Sequence, residues 1–164
     1  MLLFKWLGAG MILLVGGYAA LAMNRMERRR LDVLDGYISL LRYIKGQINC
    51  YAKPVHEILS DADPVLLLAC MGEGRRGETS DETTFPHMID AARLYMEPET
   101  ERLLRNFSAE LGQTFRAEQV TRCDDYILAL NAERQKLAEA TPLRVRVNSA
   151  LSLCTALGLV ILLW

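Results

Sequence analysis

The side chains able to do chemistry in this chain are few and poorly spaced for it. Cys50, Cys70, Cys123 and Cys154, with His56 and His87, would have to supply any zinc or thiolate centre. Successive cysteines stand 20, 53 and 31 residues apart. A zinc site draws pairs of ligands about two to four residues apart, because a short turn presents both to one tetrahedral ion. No pair here has that spacing, so the thiols are expected to be buried and reduced. His56-Glu57 opens the pattern of a zinc protease, but Ser60 stands where the second histidine is required. There is no Gly-x-Ser-x-Gly turn to expose a nucleophile and no Walker phosphate loop. Gly72, Gly74 and Gly77 match Gly-x-Gly-x-x-Gly, which cradles a dinucleotide only between a strand and a helix. An apolar, helical-looking segment precedes them and an acidic loop follows, so the match is accidental. Asp61 and Asp63 belong to a turn with a helix cap, and Asp124-Asp125 lie on a helix flank beside Arg122. No catalytic residue, metal ligand or cofactor is therefore expected, and the chain is read as no enzyme.

The elements that would position such groups all read as helices. Leu31, Leu34, Ile38, Leu41, Ile44, Ile48 and Tyr51 recur at steps of three and four, one apolar face of a long helix. Pro54 opens a short helix through Leu59, and Asp63-Pro64 supplies a cap and first-turn proline for another, Pro64 to Met71, stopped by Gly72 and Gly74. Gly72 to Thr84 has no periodicity and reads as an exposed loop, in which Arg75-Arg76 form a solvated charged turn. Pro86 starts a helix carrying Ile89, Ala92 and Met96, and Glu97-Pro98 breaks it. Leu103, Leu104, Phe107 and Leu111 line the next, closed by Gly112. The last helix begins near Arg116, turns Val120, Cys123, Ile127, Leu130 and Leu137 inward, and ends near Thr141-Pro142. No run of alternating β-branched residues marks a strand. The expected fold is all-α, an antiparallel bundle of about six helices.

The charge distribution sets the ends of the chain apart. Among 164 residues, 19 are Lys or Arg and 20 are Asp or Glu, a balance that argues against nucleic acid as a partner. All the acids and all the bases except Lys5 fall between Asn24 and Val147. Trp6 to Met23 is an uncharged stretch of 18 residues, and Asn148 to Trp164 one of 17. At about 1.5 Å per residue each can cross a hydrocarbon core of roughly 30 Å. Three regions follow: a membrane helix over residues 1–23, a helical bundle over 24–147 and a second membrane helix over 148–164. Trp6 and Trp164, at the outer edges of the two spans, would anchor the same interface.

Ala20-Leu21-Ala22 resembles a signal-peptide cleavage site, but Arg25, Arg28, Arg29 and Arg30 follow at once and resist translocation. Lys136, Arg144 and Arg146 precede the second span and no charge follows it. Both flanks place the bundle in the cytoplasm and both termini across the membrane. Association within a bilayer depends on small residues that let backbones approach. Gly16 and Ala20 form one such stripe, and Ala150, Cys154 and Gly158 another. They would pack the two spans together or against a neighbour, or are simply the small residues common in such spans.

The layout resembles the stage III sporulation protein AB family over nearly the whole chain. The resemblance rests on an apolar N-terminal span ending in a basic cluster and on Leu111-Gly112-Gln113-Thr114 with Gln119 between two helices. It also rests on a final helix running into Leu157-Gly158-Leu159-Val160-Ile161-Leu162-Leu163. The family usually has a second Leu-Gly and an Asp before the Gln; Phe115-Arg116 stands where that Leu-Gly would be. The family is similar to the cytoplasmic domains of the inner-membrane platform proteins of type II secretion and type IV pilus machines. The resemblance implies a structural part in a secretion-like channel between mother cell and forespore. It implies a place in the mother-cell membrane, beside a secretion-type ATPase and ring-forming subunits, with self-association into a homo-oligomer open. A platform subunit of a secretion or pilus machine is the alternative, although such proteins generally carry a duplicated bundle and a further span.

Overall fold

The computed structural model describes residues 2–51, 55–72 and 84–163, without the side chains of residues 2–10, 12, 13, 55, 56, 159, 160, 162 and 163. Among the described residues six α-helices follow one another: α1 (Leu2–Tyr51), α2 (Val55–Ser60), α3 (Pro64–Met71), α4 (Phe85–Ala92), α5 (Pro98–Glu110) and α6 (Arg116–Leu163). A 3₁₀ turn at Arg93–Tyr95 follows α4, and no strand occurs among the described residues. The fold is all-α. Pro54, most of the Gly72–Thr84 loop with Arg75 and Arg76, and Trp164 lie outside the described residues, as do the side chains of Trp6 and His56.

Two compact units divide the chain, one made of Met1–Arg28 with Ala138–Trp164, the other of Arg29–Leu137. In the second, α1 and α6 run antiparallel, since Asp35 pairs with Arg134 and Lys45 with Asp124, the latter at 2.6 Å. The core takes Leu34, Ile38, Leu41, Ile44 and Ile48 from α1, the face that the periodicity picks out. It also buries Val33, Tyr37 and Leu40, a second line about 100° round the helix. Tyr51, expected on that face, is exposed because α1 ends there. Cys70 and Cys123 are buried, but Cys50 is exposed at the end of α1, past the last buried position, Ile48. Edge-on and tilted aromatic contacts link four helices: Tyr37 to Phe85 at 6.0 Å, Phe85 to Phe107 at 5.5 Å and Phe107 to Tyr126 at 5.3 Å.

Local chemistry sets the shorter elements. Asp63 Oδ1 accepts from the Val65 amide at 2.8 Å and caps α3, with Pro64 in the first turn. Gly72 ends α3 at φ 66°, ψ 143°, a backbone region essentially reserved for glycine. A Cβ at Gly72 would lie 2.8 Å from two ring carbons of Tyr95 and 3.5 Å from Val33. Gly72→Ala is therefore expected to lower stability by about 1–3 kcal/mol through the backbone alone, with the ring clash added. Thermal unfolding of the full chain in detergent checks this, and an unchanged midpoint would count against it.

The expected end of the last helix at Thr141-Pro142 is corrected. α6 is one helix of 48 residues with Pro142 inside it. Proline removes one helical hydrogen bond and crowds the carbonyl four residues back, at a cost of about 3 kcal/mol. Tertiary contacts hold the chain helical on both sides: Leu137 is buried in the core, and Arg144 reaches Glu27 at 3.7 Å. Among the described residues no helix is long and apolar enough to cross a membrane, and many side chains in the outer portions of both expected spans are outside the description.

Candidate functional site

In the unit formed by residues 1–28 and 138–164, α1 and α6 pack antiparallel through small and polar groups. Ser152 Oγ donates to the Gly16 carbonyl at 2.6 Å, and Asn24 Nδ2 donates to Ser149 Oγ at 3.2 Å. A Cβ at Gly16 would meet the Cβ of Ala156 at 3.0 Å, so glycine lets the two backbones approach. Ala20, one turn on from Gly16, is half-buried on the same face, and Glu27 closes it by pairing with Arg144. The opposite sides of both helices carry exposed apolar groups, among them Leu14 (75% exposed), Tyr18 (74%), Leu151 (65%) and Ile161 (77%). Thirteen of the eighteen large apolar side chains exposed among the described residues belong to this unit. The pattern is inside out relative to the helical core of residues 29–137, where apolar groups point in and charges point out.

The two small-residue stripes are not brought together. Gly16 and Ala20 face α6, but Ala150, Cys154 and Gly158 are exposed on its other side, and a Cβ at Gly158 would meet nothing within 4 Å. The contact face of α6 is instead Ser149, Ser152 and Ala156. Periodicity carried a signal for it, since these residues recur at three and four, but a serine in an apolar run also fits a lipid-facing or solvent-facing position.

The flanking arginines have different partners. Arg29 Nη1 donates to the Tyr95 hydroxyl at 3.5 Å, and Arg30 lies 3.6 Å from Glu97. Arg144 pairs with Glu27, whereas Arg25, Arg28 and Arg146 are exposed.

The turn between α5 and α6 is the other candidate. Gly112 takes φ 86° to close α5, the Leu111 amide donates to the Phe107 carbonyl at 2.9 Å, and the Gln119 amide to that of Phe115 at 2.9 Å. Leu111 and Gln119 line a small pocket with Phe107, Glu110, Arg122 and Tyr126. Arg122 bridges Glu110 at 2.8 Å and Glu118 at 2.9 Å. Burial first, then the Glu110 carboxylate, push the Tyr126 phenol up. The buried thiols are poor nucleophiles: burial pushes Cys70 up to about 12 and Cys123 to about 11. Among the described residues no three His, Cys, Asp or Glu side chains are grouped to hold a metal.

The family model for stage III sporulation protein AB matches residues 5–164. No curated protein and no solved structure matches the chain. The match covers nearly the full length of this all-α chain, and the chain belongs to the stage III sporulation protein AB family.

Proposed function

We propose that this sporulation protein is a non-enzymatic platform in the mother-cell membrane, part of a secretion-like channel to the forespore. The pair α1/α6 is its anchor, and the unit of residues 29–137 lies in the cytoplasm, where a secretion-type ATPase can reach it. The observation that carries this reading is the inverted patterning of the pair, small and polar within, apolar without. A helix pair of that kind is stable where hydrocarbon or another apolar surface replaces water. Residues 6–23 and 148–164 are uncharged over 18 and 17 residues, about the length needed to span a bilayer. The arginine flanks favour a cytoplasmic body. Mechanical coupling between the ATPase and the membrane assembly is the role this reading assigns to the protein.

Thiol accessibility tests the anchor. Variants keeping one cysteine each are exposed to a charged maleimide in intact, right-side-out and inverted membrane vesicles. Cys50 is expected to label only in inverted vesicles, and Cys154 in neither until detergent is added. Labelling of Cys154 as fast as Cys50 in inverted vesicles before detergent is added would remove the anchor. The coupling role is tested by affinity purification of the tagged full chain from sporulating membranes, where a secretion-type ATPase should accompany it.

A further inference from the structure

We infer that Arg25, Arg28 and Arg146 form a binding site for the phosphate of an anionic phospholipid, an inference that rests on the membrane anchor proposed above. The unit of residues 1–28 and 138–164 contains five bases, Lys5, Arg25, Arg28, Arg144 and Arg146, against two acids, Glu27 and Glu139. Arg144 is occupied by Glu27 at 3.7 Å. Arg25, Arg28 and Arg146 are exposed, and among the described residues none of them has a carboxylate partner. Three guanidinium groups thus remain with their charge uncompensated at one end of an apolar helix pair.

The packing register places them together. Gly16 meets Ser152, Asn24 meets Ser149 and Glu27 meets Arg144, so Arg146 lies at the level of Arg25 along the pair. Arg28 follows the contact residue Glu27 by one position, and Arg146 follows the half-buried Val145 by one. In an antiparallel pair of right-handed helices, one step past the contact line turns both side chains to the same flank. Arg25, one turn before Arg28, lies toward that flank as well.

Lipid fits this cluster better than an acidic protein surface. Met23, Met26, Leu143 and Val147, neighbours of the arginines in the sequence, are exposed at the same level of the pair. Apolar side chains alternating with arginines suit the boundary where acyl chains meet headgroups, with the arginine stems on hydrocarbon and the guanidinium groups at phosphate. The planar guanidinium also matches a phosphate diester in two-point contact.

The test uses the full chain in detergent with equimolar phosphatidylglycerol and phosphatidylcholine, the retained lipids being counted by native mass spectrometry. Each arginine near the headgroups is expected to contribute about fivefold, so wild type should prefer phosphatidylglycerol by well over tenfold. R25Q/R28Q/R146Q should bring the preference close to one. R25K/R28K/R146K should keep most of it, and R42Q, at an exposed arginine of the other unit, should leave it unchanged. Helicity by circular dichroism checks that each variant is folded. A preference that survives the triple Gln change overturns the inference, as does a wild type with no preference, which would point to an acidic protein partner. Displacement of the lipid by equimolar inorganic phosphate would reassign the cluster to free anions and also overturn it. An alkaline carbonate wash separates this failure from failure of the anchor. If wild type stays with the membrane but shows no lipid preference, only the lipid site falls; if the wash extracts it, the anchor falls too.

Discussion

Phe107→Ala should lower the unfolding free energy of the full chain by about 3–5 kcal/mol, the range for truncating a buried phenylalanine. Phe107 is buried on α5 and is in ring contact with Phe85 of α4 and Tyr126 of α6. Its loss opens a cavity where three successive helices meet. The surrounding backbone cannot close it, because α4 and α5 are both short and each is tied at its ends by proline and tight turns. Each aromatic pair adds about 0.5–1.5 kcal/mol beyond the buried area, so Phe107→Leu should cost less than alanine but more than its volume change suggests. Urea unfolding in detergent, followed by circular dichroism, measures this. A loss under about 1 kcal/mol for the alanine variant would show that the aromatic chain does not hold the helices together.

Gly36→Leu should be damaging for the opposite reason. A Cβ at Gly36 would lie 3.0 Å from the Ala69 carbonyl carbon and 3.1 Å from the Cys70 nitrogen, both backbone atoms of α3. A flexible side chain could swing aside, but a helix backbone has to move as a body. Leucine would therefore push α3 off α1 and expose Leu67 and Cys70, both buried now. Overpacking of this kind costs about 1–3 kcal/mol and more where the backbone is displaced. Gly46, ten residues on in the same helix, is the internal control, since a Cβ there meets nothing within 4 Å. Gly46→Ala should stabilise by about 0.8–1 kcal/mol, the helix-propensity difference alone. Opposite signs at two glycines of one helix are the expected result. A tolerated Gly36→Leu would mean that α3 packs more loosely on α1 than the close approach implies.

Much of the secondary structure was legible in the sequence because it depends on neighbours along the chain. Apolar residues at steps of three and four mark α1, α5 and α6, Asp63-Pro64 caps α3, and Gly72 and Gly112 stop helices where positive φ is needed. The charge-free ends and their arginine flanks were equally visible. Contacts between helices were not, since each is a property of two segments at once. Periodicity placed Leu34, Ile38 and Leu41 inward but could not show that Val33, Tyr37 and Leu40 are also covered, because that depends on how many helices surround α1. Pro142 is a local stop signal, and tertiary contacts on both sides of it outweigh a cost of about 3 kcal/mol. The small residues of the helix pair were visible as stripes, but their partners were set by register. Gly16 faces Ser152 and Ala156, leaving Ala150, Cys154 and Gly158 outside. The same register gives Glu27 to Arg144 rather than to Arg146. Sequence alone determined most of the helical segments and where charge is absent. Tertiary structure decided which faces meet, because close packing selects one register among several that the pattern of residue types allows.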